Sequence, residues 1–226
     1  MQNQISKKQG FTLAEILITL TVIGVVAALT IPTLLQNTNQ AELKTALKRD
    51  FADLQQAALL IKNDFGGTLV NAFPDSDAES LKNAFKGKLS YIKECNATSA
   101  WGGSGTGASS EGCWYSTNSW QYLNGTIQQG ANLRPGLILN NGTLVTFGMH
   151  KSDCSEASGD FTYCGYIIFD VNGFKKPNII GKDIFEVSVT ANELIPDGAR
   201  GSYDSDEERC LPTAQGWACT AKDLYE

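Results

Sequence analysis

Apolar residues run almost without interruption from Phe11 to Leu35, and Glu15 is the only charge among them. A run of that length predicts a helix able to cross a hydrocarbon core of roughly 30 Å. Thr19, Thr21, Gly24 and Thr30 within it are small or weakly polar, the residues that let helices pack closely in apolar surroundings. Pro32 removes one backbone donor and predicts a kink or loosened turn at about Ala28–Pro32. It would also mark the exit from a membrane. Beyond it the pattern becomes amphipathic. Leu43, Leu47, Phe51, Leu54, Ala58, Ile61 and Phe65 recur at helical spacing, while Glu42, Lys44, Lys48, Arg49, Asp53, Gln56 and Lys62 take the other face. Gly66-Gly67 stops the pattern. The expectation is one long helix from Phe11 to Phe65, its second half presenting a core-facing stripe.

The rest of the chain alternates over shorter spans. Asp75–Leu89 predicts a short amphipathic helix starting near Asp77 and Glu79, with Leu81, Phe85 and Leu89 on one side. Ser99–Gly112 is rich in glycine and serine and reads as an exposed loop. Gly136–Leu139 and Thr143–Phe147 flank Asn140-Asn141-Gly142, the pattern of a hairpin with an Asn-Gly turn. Tyr163–Val171 is β-branched and aromatic, and Ile184–Thr190 alternates with the period of a half-buried strand. The fold class expected is therefore α+β: a long N-terminal helix packed on an antiparallel sheet head, in the form of a lollipop.

Composition narrows the function. The 226 residues carry a formal net charge of −6, which leaves no basic face for general nucleic-acid binding. Phosphate-loop, nucleophile-elbow and zinc-protease motifs are all missing from the sequence, and His150 is the single histidine. Nothing points to an enzyme. Six cysteines, Cys95, Cys113, Cys154, Cys164, Cys210 and Cys219, all follow the long helix. Their even number and their place beyond an export-type segment imply disulfides formed in an oxidising compartment. Many connectivities are open. Pairing sequence neighbours gives Cys95–Cys113, Cys154–Cys164 and Cys210–Cys219, each closing a small loop. Zinc is disfavoured because no CxxC spacing occurs.

The chemistry of the N-terminus turns on Glu15. An acidic side chain inside a membrane helix costs roughly 2.5–3.5 kcal/mol on insertion scales, and so implies a partner and a role. Before it stands Lys7-Lys8-Gln9-Gly10-Phe11-Thr12-Leu13-Ala14-Glu15, a short basic leader ending at a glycine. Two other readings stay open. Lys7-Lys8 and Ile16–Leu29 also compose an ordinary secretory signal, with Val26-Ala27-Ala28 as a passable cleavage site. A plain single-pass anchor would tolerate Glu15 near the membrane edge.

The segment Gln9–Leu35 resembles the class III signal of type IV pilins and of the pseudopilins of type II secretion. That resemblance implies cleavage between Gly10 and Phe11 by a prepilin peptidase, and N-methylation of Phe11. It gives Glu15 the task of meeting the N-terminal amine of a neighbouring subunit during filament growth, and Pro32 a place at a bend or melted turn. A cation at Phe11 and an anion at Glu15 are each cheaper in hydrocarbon paired than alone. The resemblance divides the chain into a leader, 1–10; a transmembrane and filament-core half-helix, 11–35; an amphipathic half-helix, 36–67; and a disulfide-bearing head, 68–226. Its implied partners are other pilins, the peptidase, an inner-membrane assembly platform and membrane lipid. The implied location is the inner membrane with the head in the periplasm or outside, and then a filament. Cys210–Cys219 resembles the C-terminal disulfide loop of many type IV pilins, which is usually larger.

Two features of the head add candidate chemistry. Asp170, Asn172, Asn178 and Asp183 place four oxygen-bearing side chains along one loop, suited to calcium. Major pseudopilins bind calcium in a loop near the C-terminus, although Lys175, Lys176 and Lys182 here oppose a cation. The alternative is a turn-rich connection held by side-chain-to-backbone bonds. Asp204-Ser205-Asp206-Glu207-Glu208 reads as a solvated acidic loop. Trp101, Trp114, Tyr115, Trp120 and Tyr122 offer either ordinary core or a binding surface. The surface would make the chain a membrane-tethered or secreted binding module.

Overall fold

The computed structural model describes residues 10–75, 77–95, 113, 120–127, 134–158, 161–204 and 207–226. Helix α1 spans Leu13–Asp64, and helix α2 spans Ala78–Lys86. Among the described residues eight strands follow: β1 (Tyr91–Cys95), β2 (Gly136–Leu139), β3 (Leu144–Met149), β4 (Glu156–Ser158), β5 (Phe161–Tyr163), β6 (Gly165–Asp170), β7 (Ile184–Val189) and β8 (Leu194–Pro196). A 3-10 turn at Glu207–Cys210 and helix α3 at Cys219–Tyr225 end the chain. Six strands form one antiparallel sheet in the order β1-β2-β3-β6-β7-β8, with β4-β5 as a separate hairpin inserted between β3 and β6. This is a pilin-like α+β architecture. The chain separates into two units, Met1–Glu42 and Leu43–Glu226.

In the first unit α1 is apolar and makes no core. Leu13–Pro32 is long and apolar enough to cross a membrane, and none of it is buried within the chain's own fold. The helix passes through Pro32 as one continuous element.

The second unit begins with the amphipathic part of α1. Leu47, Leu54, Ala58 and Ile61 lie on the expected stripe and are buried, together with Ala57. They join Phe73, Phe85, Phe147, Phe169, Phe185 and Val187 in the main core cluster. Phe65 departs from the expectation. It is 48% exposed, because the helix ends at Asp64 and the chain turns away at Gly66-Gly67. Helix α2 starts at Asp77, whose carboxylate accepts the Ser80 N–H at 2.7 Å. It places Leu81 and Phe85 in the same core. The buried Lys82 ammonium lies 2.9 Å from Glu94 of β1 and also contacts Glu79.

The hairpin β2-β3 turns where Asn-Gly predicts. The Gly142 N–H donates to the Leu139 carbonyl, and Gly142 has φ +91, a conformation costly to any residue with a Cβ. Strand β7 overturns its half-buried reading: all its residues are buried. Alternation is still there, with Phe185, Val187 and Val189 in the main core. Ile184 enters a second cluster with Trp120, Ile138, Tyr166, Ile168 and Ile180. The C-terminal segment covers this second face: the Thr220 hydroxyl of α3 accepts the Glu186 N–H at 3.2 Å. Alternation reveals one apolar face and says nothing of what distant chain lies over the other.

Candidate functional site

Gly10, Phe11, Thr12 and Glu15 are brought together at the start of α1. Thr12 donates to the Glu15 carboxylate through its N–H (2.8 Å) and its hydroxyl (2.9 Å), and its hydroxyl accepts the Glu15 N–H at 3.2 Å. Threonine followed three residues later by glutamate is a capping box, which closes backbone donors that the first turn of a helix leaves open. The motif Thr12-Leu13-Ala14-Glu15 is legible in the sequence itself. Glu15 therefore has a local partner within its own chain, and its position on the helix is fixed. Phe11 is 85% exposed, and Glu15 and the apolar side chains around it are exposed with it.

Downstream, four threonines of α1 turn inward to the helix. The hydroxyls of Thr19, Thr21, Thr30 and Thr38 donate to the carbonyls of Glu15, Leu17, Val26 and Leu34 at 2.7–2.9 Å. Hydroxyls so bonded present methyl groups outward, which suits an apolar environment.

The head is tied by three disulfides, Cys95–Cys113, Cys154–Cys164 and Cys210–Cys219, and none of its cysteines is free. Burial of Asp50 on α1, missed in sequence, adds a polar tie. Its carboxylate accepts from the Thr143 hydroxyl (2.6 Å), Asn141 Nδ2 (2.8 Å) and Arg49 Nε (2.9 Å), fastening the helix to the β2-β3 turn. Burial pushes the Asp50 carboxyl up, and these three donors pull it back. A helix acid at an i+3 step from the apolar Leu47 is the available signal, read without its distant partners.

In the calcium-candidate loop, Asp183 accepts the N–H groups of Asn178 (2.8 Å) and Ile179 (2.6 Å) and Nδ2 of Asn172 (3.1 Å). Asp170 accepts the Asn172 N–H at 3.0 Å. These are the bonds of a clamped turn, and burial raises the Asp183 carboxyl against them. Asn172 Oδ1 and Asn178 Oδ1 are buried without a hydrogen-bond partner. Among the described residues no group of three or more His, Cys, Asp or Glu is placed to hold a metal.

Of the aromatic candidates, Trp120 is buried and stands edge-on to Trp217 at 6.3 Å, with Tyr122 packed on the same cluster. That is core. Trp101, Trp114, Tyr115 and the glycine-rich loop lie outside the described residues, as does the leader before Gly10. Asp204 corrects the solvated-loop reading: it is only 4% exposed and pairs with Arg209 at 3.0 Å. Glu208 is exposed, and Ser205 and Asp206 lie outside the described residues.

Residues 5–31 match the family model of the prokaryotic N-terminal methylation motif, the signature of type IV pilins and pseudopilins. No curated protein and no solved structure matches the chain. The motif and the apolar N-terminal helix fit a pilin-like, membrane-anchored precursor. Such a motif belongs to a structural subunit rather than an enzyme, and implies assembly with other pilins and processing by prepilin peptidase.

Proposed function

We propose that the chain is a structural subunit of a type IV pilus or type II secretion filament. Prepilin peptidase cuts it between Gly10 and Phe11 and methylates the new amine, and the N-terminal helix then assembles against its neighbours. One observation carries this reading. The methylation motif runs directly into an apolar helix, Leu13–Pro32, that finds no burial in its own chain. An apolar surface of that extent calls for lipid or for other helices. The precursor then sits in the inner membrane with its head outside the cytoplasm, and an inner-membrane platform passes subunits into the filament.

The first test is the N-terminal sequence and mass of the mature protein from its native membrane. A start at methylated Phe11 is expected; a start near Leu29 or an intact Met1 would refute the proposal. Glu15 is then tested by two substitutions. Glu15→Val removes both charge and cap and is expected to abolish filaments. Glu15→Gln keeps a side chain able to cap but lacks the charge. Filament loss in both variants assigns the role to charge, whereas normal filaments with Glu15→Gln reduce Glu15 to a helix cap.

A second reading concerns calcium held by Asp170, Asn172, Asn178 and Asp183. The two unpartnered amide oxygens of Asn172 and Asn178 favour it. It requires Asp183 to release N–H bonds from Asn178 and Ile179. A Tm that rises with calcium, falls back with chelator and stops responding in Asp183→Asn is the expected signature. A Tm indifferent to calcium retires the ion.

A further inference from the structure

Three carboxylates converge beneath the C-terminal segment. Glu186 and Ser188 point to the same face of β7, and Asp197 follows β8 directly, its N–H donating to the Glu186 carbonyl at 3.2 Å. Asp197 is fully buried. Its Oδ1 accepts the Ser188 hydroxyl at 2.8 Å, and its Oδ2 has no hydrogen-bond partner. The Ser188 oxygen in turn accepts the Tyr203 N–H at 2.7 Å. Asp204 closes the group, with the Gly198 N–H donating to its carbonyl at 2.6 Å. The same residues hold the end of the chain. Thr220 of α3 accepts from the Glu186 N–H, and the Ala221 N–H donates to the Asp197 carbonyl at 2.8 Å.

The charges do not balance if all three acids ionise. Arg209 is committed to Asp204, and Arg134 lies near Glu186 while resting 4.9 Å from the Tyr166 ring. Two guanidinium groups then face three carboxylates, and a buried carboxylate oxygen without a donor is strongly disfavoured. A proton removes both deficits.

We propose that the Glu186–Asp197 pair is a proton-operated latch, holding one proton from solvent in the folded head and loosening the segment from Asp197 to Glu226 when that proton returns to water.

Burial is the leading cause that raises both acids. It pushes Glu186 up to about 7, and it carries Asp197 well above the ordinary carboxylate range with Glu186 adding to it. An acid whose folded value is raised binds more protons folded than unfolded. Its contribution to stability is present at acid pH and is lost as pH rises from the ordinary value towards the raised one. The other groups around the pair are Tyr163, Tyr166, Tyr203 and His150. The tyrosines Tyr163 and Tyr166 are both raised by burial and stay neutral in this range. His150 packs against Tyr163, Tyr166 and Tyr203 and is lowered by burial, so it acts with the opposite sign. Asp50 and Asp183 share the sign of the pair from elsewhere in the head. The decisive quantity is therefore the difference in slope between wild type and variants.

Full-length protein in detergent micelles is melted at intervals from about pH 5 to about pH 8, the window between the ordinary and raised carboxyl values. Tm is expected to fall with pH. Glu186→Gln and Asp197→Asn should each flatten the fall and melt above wild type at the alkaline end. Unchanged slopes in both variants overturn the latch. Infrared spectroscopy adds a second measurement. A protonated-carboxyl band at neutral pH that disappears on alkaline titration and weakens in Glu186→Gln or Asp197→Asn supports the proposal; a band that is absent, or unchanged in both variants, overturns it. If calcium alone abolishes the slope, the pair binds a cation and the proposal is wrong.

Discussion

The two units of this chain solve the same problem by opposite means. In Met1–Glu42 every described polar side chain of the apolar stretch finds its partner within a turn of itself: Thr12 with Glu15, and the threonines with the carbonyls before them. In Leu43–Glu226 the deciding bonds join residues far apart in sequence, Asp50 to Thr143, Glu186 to Thr220, and Lys82 to Glu94. A local solution leaves the apolar surface free for other molecules. A distant one consumes it in a core. The first makes a segment built to associate, and the second a body built to keep its shape.

Breaking the head should therefore cost stability without touching the motif. The largest effect is expected from Phe147→Ala, which removes a fully buried ring between α2 and the sheet, at about 3–5 kcal/mol. Denaturant unfolding measures the loss, and the proposed cleavage after Gly10 should be unaffected if the precursor still inserts. Removing the Cys95–Cys113 bridge, whose cysteines are 18 residues apart, should cost about 3 kcal/mol. A paired Cys95→Ser, Cys113→Ser variant compared by Tm checks it. Asp50→Ala leaves Thr143 and Asn141 without their acceptor and should cost about 1–3 kcal/mol. A value near zero would show that the tie carries no stability.

The local solution predicts the smallest change. Thr12→Ala should weaken the first turn of α1 by about 1 kcal/mol. Circular dichroism of the N-terminal segment in micelles would register fraying, while the head's Tm stays fixed. A fall in head stability would mean that the two regions are not energetically separate.

What the sequence discloses follows the same division. The span of α1, the cap of α2 at Asp77, the Asn-Gly turn and the strand cores all rest on short-range patterns, and they are readable. The covered second face of β7 and the Asp50 tie depend on partners many residues away. No window along the chain contains them. Phe65 fits the helical period but lies past the helix end, where continued periodicity ceases to mean burial. Thr12 is the reverse case: its capping signal, Thr12 to Glu15, is four residues long and complete within the sequence.

The inward-turned threonine hydroxyls have a consequence for transfer between media. A side chain bonded to water or lipid headgroups must exchange partners whenever its surroundings change, and that exchange is a barrier. Thr19, Thr21 and Thr30 carry their acceptors with them on the same helix. Moving such a segment from a bilayer into a sheath of its own copies leaves those bonds as they were. In the proposed filament assembly, extraction would trade one set of dispersion contacts for another of similar strength.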